Sequence, residues 1–198
     1  MNRRTDIYAD FVDHPRYGRC PRFTGLQPVA RIFRGVYLGW HSLADERISE
    51  TAIVANTNRQ PNATVPVTHY FDLKRTCRDC SRNFIFFAEE QRYWYETLQF
   101  YLGADCVRCI DCRLEQRINA KLREQYETLL GRDDRSDTES LELADVAMLL
   151  IHRGVFGNRC IERVRSFLNS IHGDSSVRQH ASFRVVDDWS AARIQTGE

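Results

Sequence analysis

The chain has 198 residues, 42% of them hydrophobic and 28% charged, and a formal net charge of +1. That is the make-up of a soluble globular protein: one compact domain, or a small metal domain fused to a second small core. The balance excludes an overall electrostatic pull towards nucleic acid or membrane. No stretch approaches the roughly 20 apolar residues that span a bilayer. The opening MNRRTDIYADF lacks the apolar core and small-residue cleavage site of a secretory signal, so a cytoplasmic location is expected.

Residues 1–27 read as an irregular, Arg-rich arm. Arg3, Arg4, Arg16, Arg19 and Arg22 stand there against Asp6, Asp10 and Asp13, and Arg31 and Arg34 follow just beyond. Pro15, Gly18, Pro21, Gly25 and Pro28 punctuate it as turns. Only Lys74 and Lys121 are lysines. That bias towards arginine is read as codon usage, since spread over a whole chain it marks no site.

Residues 28–72 carry short β-like runs rich in Val, Ile, Thr and Tyr: 29–33, 35–38, 51–55 and 65–71. Residues 73–130 hold the cysteine pairs and the helix after them. Between the pairs, Phe84–Phe87 reads as an apolar strand. Residues 88–98 read as a helix with Glu89 and Glu90 in the first turn, where the helix dipole favours acid. After Cys109, the spacing of Leu114, Ile118, Leu122 and Leu129 predicts a helix, with Gly131 as its C-cap.

Residues 131–173 are expected to form a helical hairpin packed on the metal module. Ser136 to Glu139 is a capping box, Gly154 a C-terminal stop, Asn158 the cap of the next helix, and Gly173 its end. Residues 174–198 read as a loosely ordered polar tail, with Phe183–Val186 able to add a strand.

The chemistry concentrates in the cysteines. Seven is an odd number, and without an export signal the pattern reads as metal binding, not as a disulfide framework. Cys77-Arg-Asp-Cys80 and Cys109-Ile-Asp-Cys112 supply four thiolates, the closed tetrahedral set of a structural Zn2+. Four ligands from the protein leave no open position for catalysis. The second pair opens a helix, where unpaired N–H groups and the positive dipole end stabilise thiolate. A knuckle, a β segment and a helix that brings the last ligands make a treble-clef layout. Cys106 forms a further C-x-x-C with Cys109 and is an alternative ligand. Cys160 reads as a small buried hydrophobe and Cys20 as an ordinary loop thiol.

Four thiolates with one Zn2+ leave a net charge of about −2. Arg75, Arg78, Arg108 and Arg113 flank the ligands and are read first as charge compensation. The other reading makes Arg78, Arg108, Arg113 and Arg117 an anion- or nucleic-acid-binding rim. Tyr93, Trp94, Tyr95, Phe100 and Tyr101 read as core before they read as base-stacking platforms. No histidine sits in a ligand or general-base motif, and no phosphate loop, nucleophile elbow or kinase signature is present, so no catalytic residue is assigned and an enzyme is the less favoured reading.

HPRYG at 14–18, TGL at 24–26, CRDC at 77–80, FIFFAEEQRYWYE at 84–96 and ADCVRCIDCR at 104–113 together resemble bacterial zinc-ribbon-domain proteins of a probable zinc-binding family. The matching positions are Cys77, Cys80, Glu90, Gln91, Tyr93, Cys109, Cys112 and Arg113. One departs: where that pattern often has Gly after the second knuckle cysteine, this chain has Ser81. The resemblance implies zinc binding and no particular activity.

The expectation is therefore an α+β protein: a short-stranded N-terminal region, a treble-clef or zinc-ribbon-like module, and a C-terminal helical hairpin. It holds one structural Zn2+. It is expected to serve as a binding or adaptor protein that contacts nucleic acid or a ribonucleoprotein. The alternative is a protein-interaction scaffold that uses the acidic approach to the hairpin (Asp133, Asp134, Asp137, Glu139, Glu142, Asp145). No membrane and no small-molecule substrate is expected.

Overall fold

A computed structural model describes residues 7–28, 42–43, 45–61 and 65–196. The β runs at 29–33 and 35–38, and Arg3, Arg4, Arg31 and Arg34, lie outside the described residues. The chain forms two compact units, Met1–Arg113 and Leu114–Glu198, each with its own core. Among the described residues, no helix is long and apolar enough to cross a membrane.

Among the described residues, the first unit contains two small antiparallel sheets. Strands β1 (Ile53–Val54) and β2 (His69–Tyr70) pair Ile53 with Tyr70. They fall within two of the expected runs but are only two residues long. Strands β3 (Leu73–Thr76) and β4 (Asn83–Phe86) form a hairpin in register Leu73 with Phe86 through Thr76 with Asn83. Strand β4 is buried on both faces. Its side chains alternate by strand periodicity. Phe84 and Phe86 join Cys77, Cys106 and Cys109 in one cluster, while Ile85, with Phe87 just beyond, packs on Tyr8 and Ile48 in another. A strand buried on both sides needs a cover, and the arm supplies it.

The arm is irregular, as expected from its Pro and Gly content, yet it is closely tied down. The Val12 N–H donates to the Asn83 carbonyl (2.8 Å), and the Thr24 N–H to Glu50 (2.7 Å). The Arg22 N–H donates to the buried Asp72 carboxylate (2.8 Å). The other Asp72 oxygen accepts from the Ala88 N–H (2.7 Å). Asp72 therefore caps helix α1 (Ala88–Arg92), whose own N-cap residue, Phe87, has no side-chain cap. Helix α1 runs into a π-helical turn at Tyr93–Thr97.

Helix α2 (Ile110–Leu130) starts in the first unit and ends in the second. Its buried residues are Tyr126 and Leu129; Leu114, counted in the expected stripe, is 52% exposed. Gly131 does not take the left-handed conformation expected of a C-cap. The Arg135 guanidinium caps the helix instead, donating to the carbonyls of Leu129, Leu130 and Arg132.

Helix α3 (Asp137–His152) begins with the expected capping box: Ser136 and Glu139 bond each other's backbone N–H groups. It ends in a Schellman motif, with Gly154 at φ +66° and Val155 N–H donating to the Leu150 carbonyl. Helix α4 (Ile161–Asn169) is preceded by a 3-10 turn at Asn158–Cys160, so Asn158 lies inside that turn and does not cap the helix. The second unit departs most from expectation at residues 174–198. Residues 181–196 of that stretch fold as helix α5 (Ala181–Thr196), not as a polar tail or a strand. Phe183 and Val186 enter the core with Leu143, Leu150, Val164 and Leu168, and Trp189 packs at its edge. The hairpin thus gains a third helix, and the core also takes in Tyr126 and Leu129 from the end of α2.

Candidate metal centre

The β3–β4 hairpin turn carries the first cysteine pair. Cys77 N–H donates to the Arg82 carbonyl and Ser81 N–H to the Cys77 carbonyl, both at 2.9 Å. This tight knuckle needs a left-handed residue after Cys80, and Ser81 supplies it at φ +59° although it has a Cβ. The second pair straddles the start of α2, where the Arg113 N–H donates to the Cys109 carbonyl (3.0 Å). Arg78 N–H donates to the Val107 carbonyl (2.9 Å) and ties the knuckle to the loop before that helix.

This arrangement brings the sulfurs of Cys77, Cys80, Cys109 and Cys112 within 4.8 Å of one another. All four are free thiols. A tetrahedral ZnS4 centre with bonds of about 2.3 Å has sulfur–sulfur edges of about 3.8 Å, and Cys80 and Cys109 stand 3.8 Å apart. The donor set is complete and soft, and it fits one structural Zn2+.

The electrostatics agree. Burial alone would raise the Cys77 thiol, but backbone N–H groups of Cys109, Cys80 and Asp79 bring it down to about 6. Cys112 moves up, through burial and then through the neighbouring Cys109, Cys77 and Cys80 sulfurs. Four thiolates this close repel one another, and a divalent cation lets all four ionise together.

Cys106, the alternative ligand, is not in the cluster. It is buried, its sulfur donates to the Arg108 carbonyl (3.3 Å), and burial pushes its thiol up to about 12. It is a neutral core residue.

Residues 71–121 match the family described as "Probable treble clef domain". That match covers the knuckle, the hairpin and the opening of α2. No curated protein and no solved structure matches the chain.

The flanking arginines largely face carboxylates of the same unit. Arg108 pairs with Asp79 (2.8 Å), Arg113 with Glu90 (2.7 Å) and Arg75 with Glu46 (2.8 Å). Arg82, which sequence reasoning passed over, pairs with Asp111 (2.8 Å); its backbone N–H, and then its guanidinium, hold the Cys80 thiol below the usual range. Arg78 and Arg117 are exposed. The aromatic run divides: Tyr95 is buried and donates to the Ala104 carbonyl, Trp94 packs on Phe86, and Tyr93, Phe100 and Tyr101 are exposed.

Sequence reasoning also missed a cluster beside the centre. His14, read only as part of a motif, Glu90, read as a first-turn acid, and Arg113, read as part of the basic rim, meet in space. Burial opposes a charged Glu90, but the neighbouring His14 ring and the Arg113 guanidinium hold its carboxyl below the usual range. Three motifs far apart in the chain give no periodicity or spacing signal that would place them together.

Proposed function

We propose that this chain is a zinc-stabilised adaptor whose partner is a protein, engaged through the segment between the two cysteine pairs. One observation carries the reading: Tyr93, Leu98, Phe100, Tyr101 and Val107 all lie within that segment and all are 39–68% exposed. Isolated exposed apolar residues are ordinary, but several in one segment mark contact surface. The Trp94–Phe100 edge-to-face stack and the hydrogen bond from Phe100 N–H to the Trp94 carbonyl hold part of it on the metal module. Zinc here builds a platform and performs no chemistry.

Two observations favour a protein over nucleic acid. In the expected rim, Arg108 and Arg113 are each committed to a carboxylate. The exposed segment also mixes aliphatic with aromatic side chains, whereas base stacking calls for aromatic faces beside free cations. The acidic approach is the weaker surface. Asp137 binds His172, Glu139 belongs to the capping box and Glu142 accepts from Gln125.

The test is a pull-down with the tagged full chain from native lysate at low salt, with and without nuclease. Alongside it runs a variant carrying Tyr93→Asp and Leu98→Asp. Protein partners recovered with and without nuclease, and lost in the variant, support the reading. Partners lost on nuclease treatment, with nucleic acid in the untreated sample, would overturn it in favour of a nucleic-acid adaptor.

A further inference from the structure

The His14–Glu90–Arg113 cluster lies within the first unit and is nearly closed to solvent, with side chains 12%, 9% and 18% exposed. Arg113 Nη1 donates to Glu90 Oε1 (2.7 Å), and its guanidinium lies 5.4 Å from the centre of the Trp94 ring. His14 Nδ1 accepts the N–H groups of Arg16 (3.1 Å) and Tyr17 (3.3 Å). With Nδ1 an acceptor, the ring proton sits on Nε2, which faces Glu90 Oε1 at 3.8 Å. The His14 ring packs against Tyr17 and Phe87, and its loop is closed by the bridge from His14 to Gly18. Gly18 sits at φ +78°, a conformation that favours glycine.

Such a cluster is costly to bury, and Glu90 Oε2 and Arg113 Nε have no hydrogen-bond partner. Its geometry suggests what it does. Arg113 directly follows the ligand Cys112, and its N–H closes the first turn of α2 on Cys109. Glu90 comes from α1, and His14 from the arm. We infer that Glu90, braced by His14, positions the Cys112 turn through Arg113, so that the N-terminal arm takes part in zinc retention. His14, Glu90 and Arg113 are positioning residues; none is a ligand. Groups that orient metal ligands in this way commonly change affinity by about 10–100-fold when replaced.

The test measures Zn2+ affinity of the full chain by competition with a chromophoric chelator, together with the spectrum of the Co2+-loaded protein. Two variants are used: Glu90→Gln with Arg113→Gln, and His14→Gln. The double variant leaves no lone buried charge, so its thermal midpoint in saturating zinc is expected to exceed that of Glu90→Gln alone. Its zinc affinity is nonetheless expected to fall by about 10–100-fold, with displaced Co2+–thiolate bands. His14→Gln is expected to weaken zinc several-fold. Wild-type affinity in either variant would overturn the inference.

Discussion

The Arg108 guanidinium binds the Asp79 carboxylate at 2.8 Å, and each residue belongs to a different cysteine pair. Arg82 and Asp111 repeat the relationship in the opposite sense, with the arginine beside the first pair and the acid inside the second. Two ion pairs therefore stitch the halves of the metal centre together. Neither is deeply buried, and partly exposed pairs are worth under about 1 kcal/mol. Arg108→Gln should therefore lower stability by less than about 1 kcal/mol, read by urea unfolding in excess zinc. The Arg82 guanidinium also helps to hold the Cys80 thiol below its usual range, so Arg82→Gln should weaken zinc more than Arg108→Gln does, read by chelator competition.

Cys109→Ser should abolish stoichiometric zinc and unfold the first unit, because a structural Zn2+ contributes on the order of 10 kcal/mol of folding free energy. Cys106→Ala should retain one zinc per chain at a cost of about 1 kcal/mol for the small cavity. Native mass spectrometry separates the two, and loss of zinc from Cys106→Ala would return that residue to the ligand set.

Ser81 holds a left-handed conformation at φ +59° against its Cβ. Ser81→Gly relieves that strain but loosens the unfolded chain, and the balance should stabilise the first unit by about 0.5–1 kcal/mol. Its urea midpoint should rise; a lower midpoint would mean that the serine hydroxyl contributes to the turn.

Burial raises the Asp72 carboxyl to about 6, against hydrogen bonds from Arg22 and Ala88 that pull the other way. The native state therefore holds this proton at pH values where the unfolded chain has released it. The stability from protonated Asp72 is complete below about pH 4 and is lost as pH rises to about 6. The stability difference between wild type and Asp72→Asn, measured at fixed free zinc, should fall by roughly 3 kcal/mol over that window. A flat difference would show that the carboxylate is ionised throughout.

How much of this was legible depends on the reach of each signal. The zinc ligands were legible because each pair lies within one turn and thiolates at that spacing have few other uses. The caps at Ser136, Glu139 and Gly154 are equally local, and all three stand where the sequence put them. Helix α5 was not legible. Its inward residues Phe183, Val186 and Trp189 are thinly spread among charged ones, and the short run Phe183–Val186 fits a strand as well as a helix. The hairpin strand β3 was missed because Leu73–Thr76 contains two charged residues and only Leu73 is buried. The contacts that give the arm its structure, Arg22 to Asp72 and His14 to Glu90, join residues too distant in sequence for any local pattern to register them.

Helix α2 is 21 residues long, yet Tyr126 and Leu129, both near its end, are its buried residues. A helix is costly to start and cheap to extend, and most helices in proteins meet that cost by packing an apolar face. The first half of α2 has little such face. Its backbone is fixed at the outset by Cys109 and Cys112, so the ion that joins the knuckle to the helix also serves as the nucleus from which the helix propagates. Stripping the metal should therefore fray α2 from its N-terminal end, turn by turn, before the residues around Tyr126 lose their protection from hydrogen exchange.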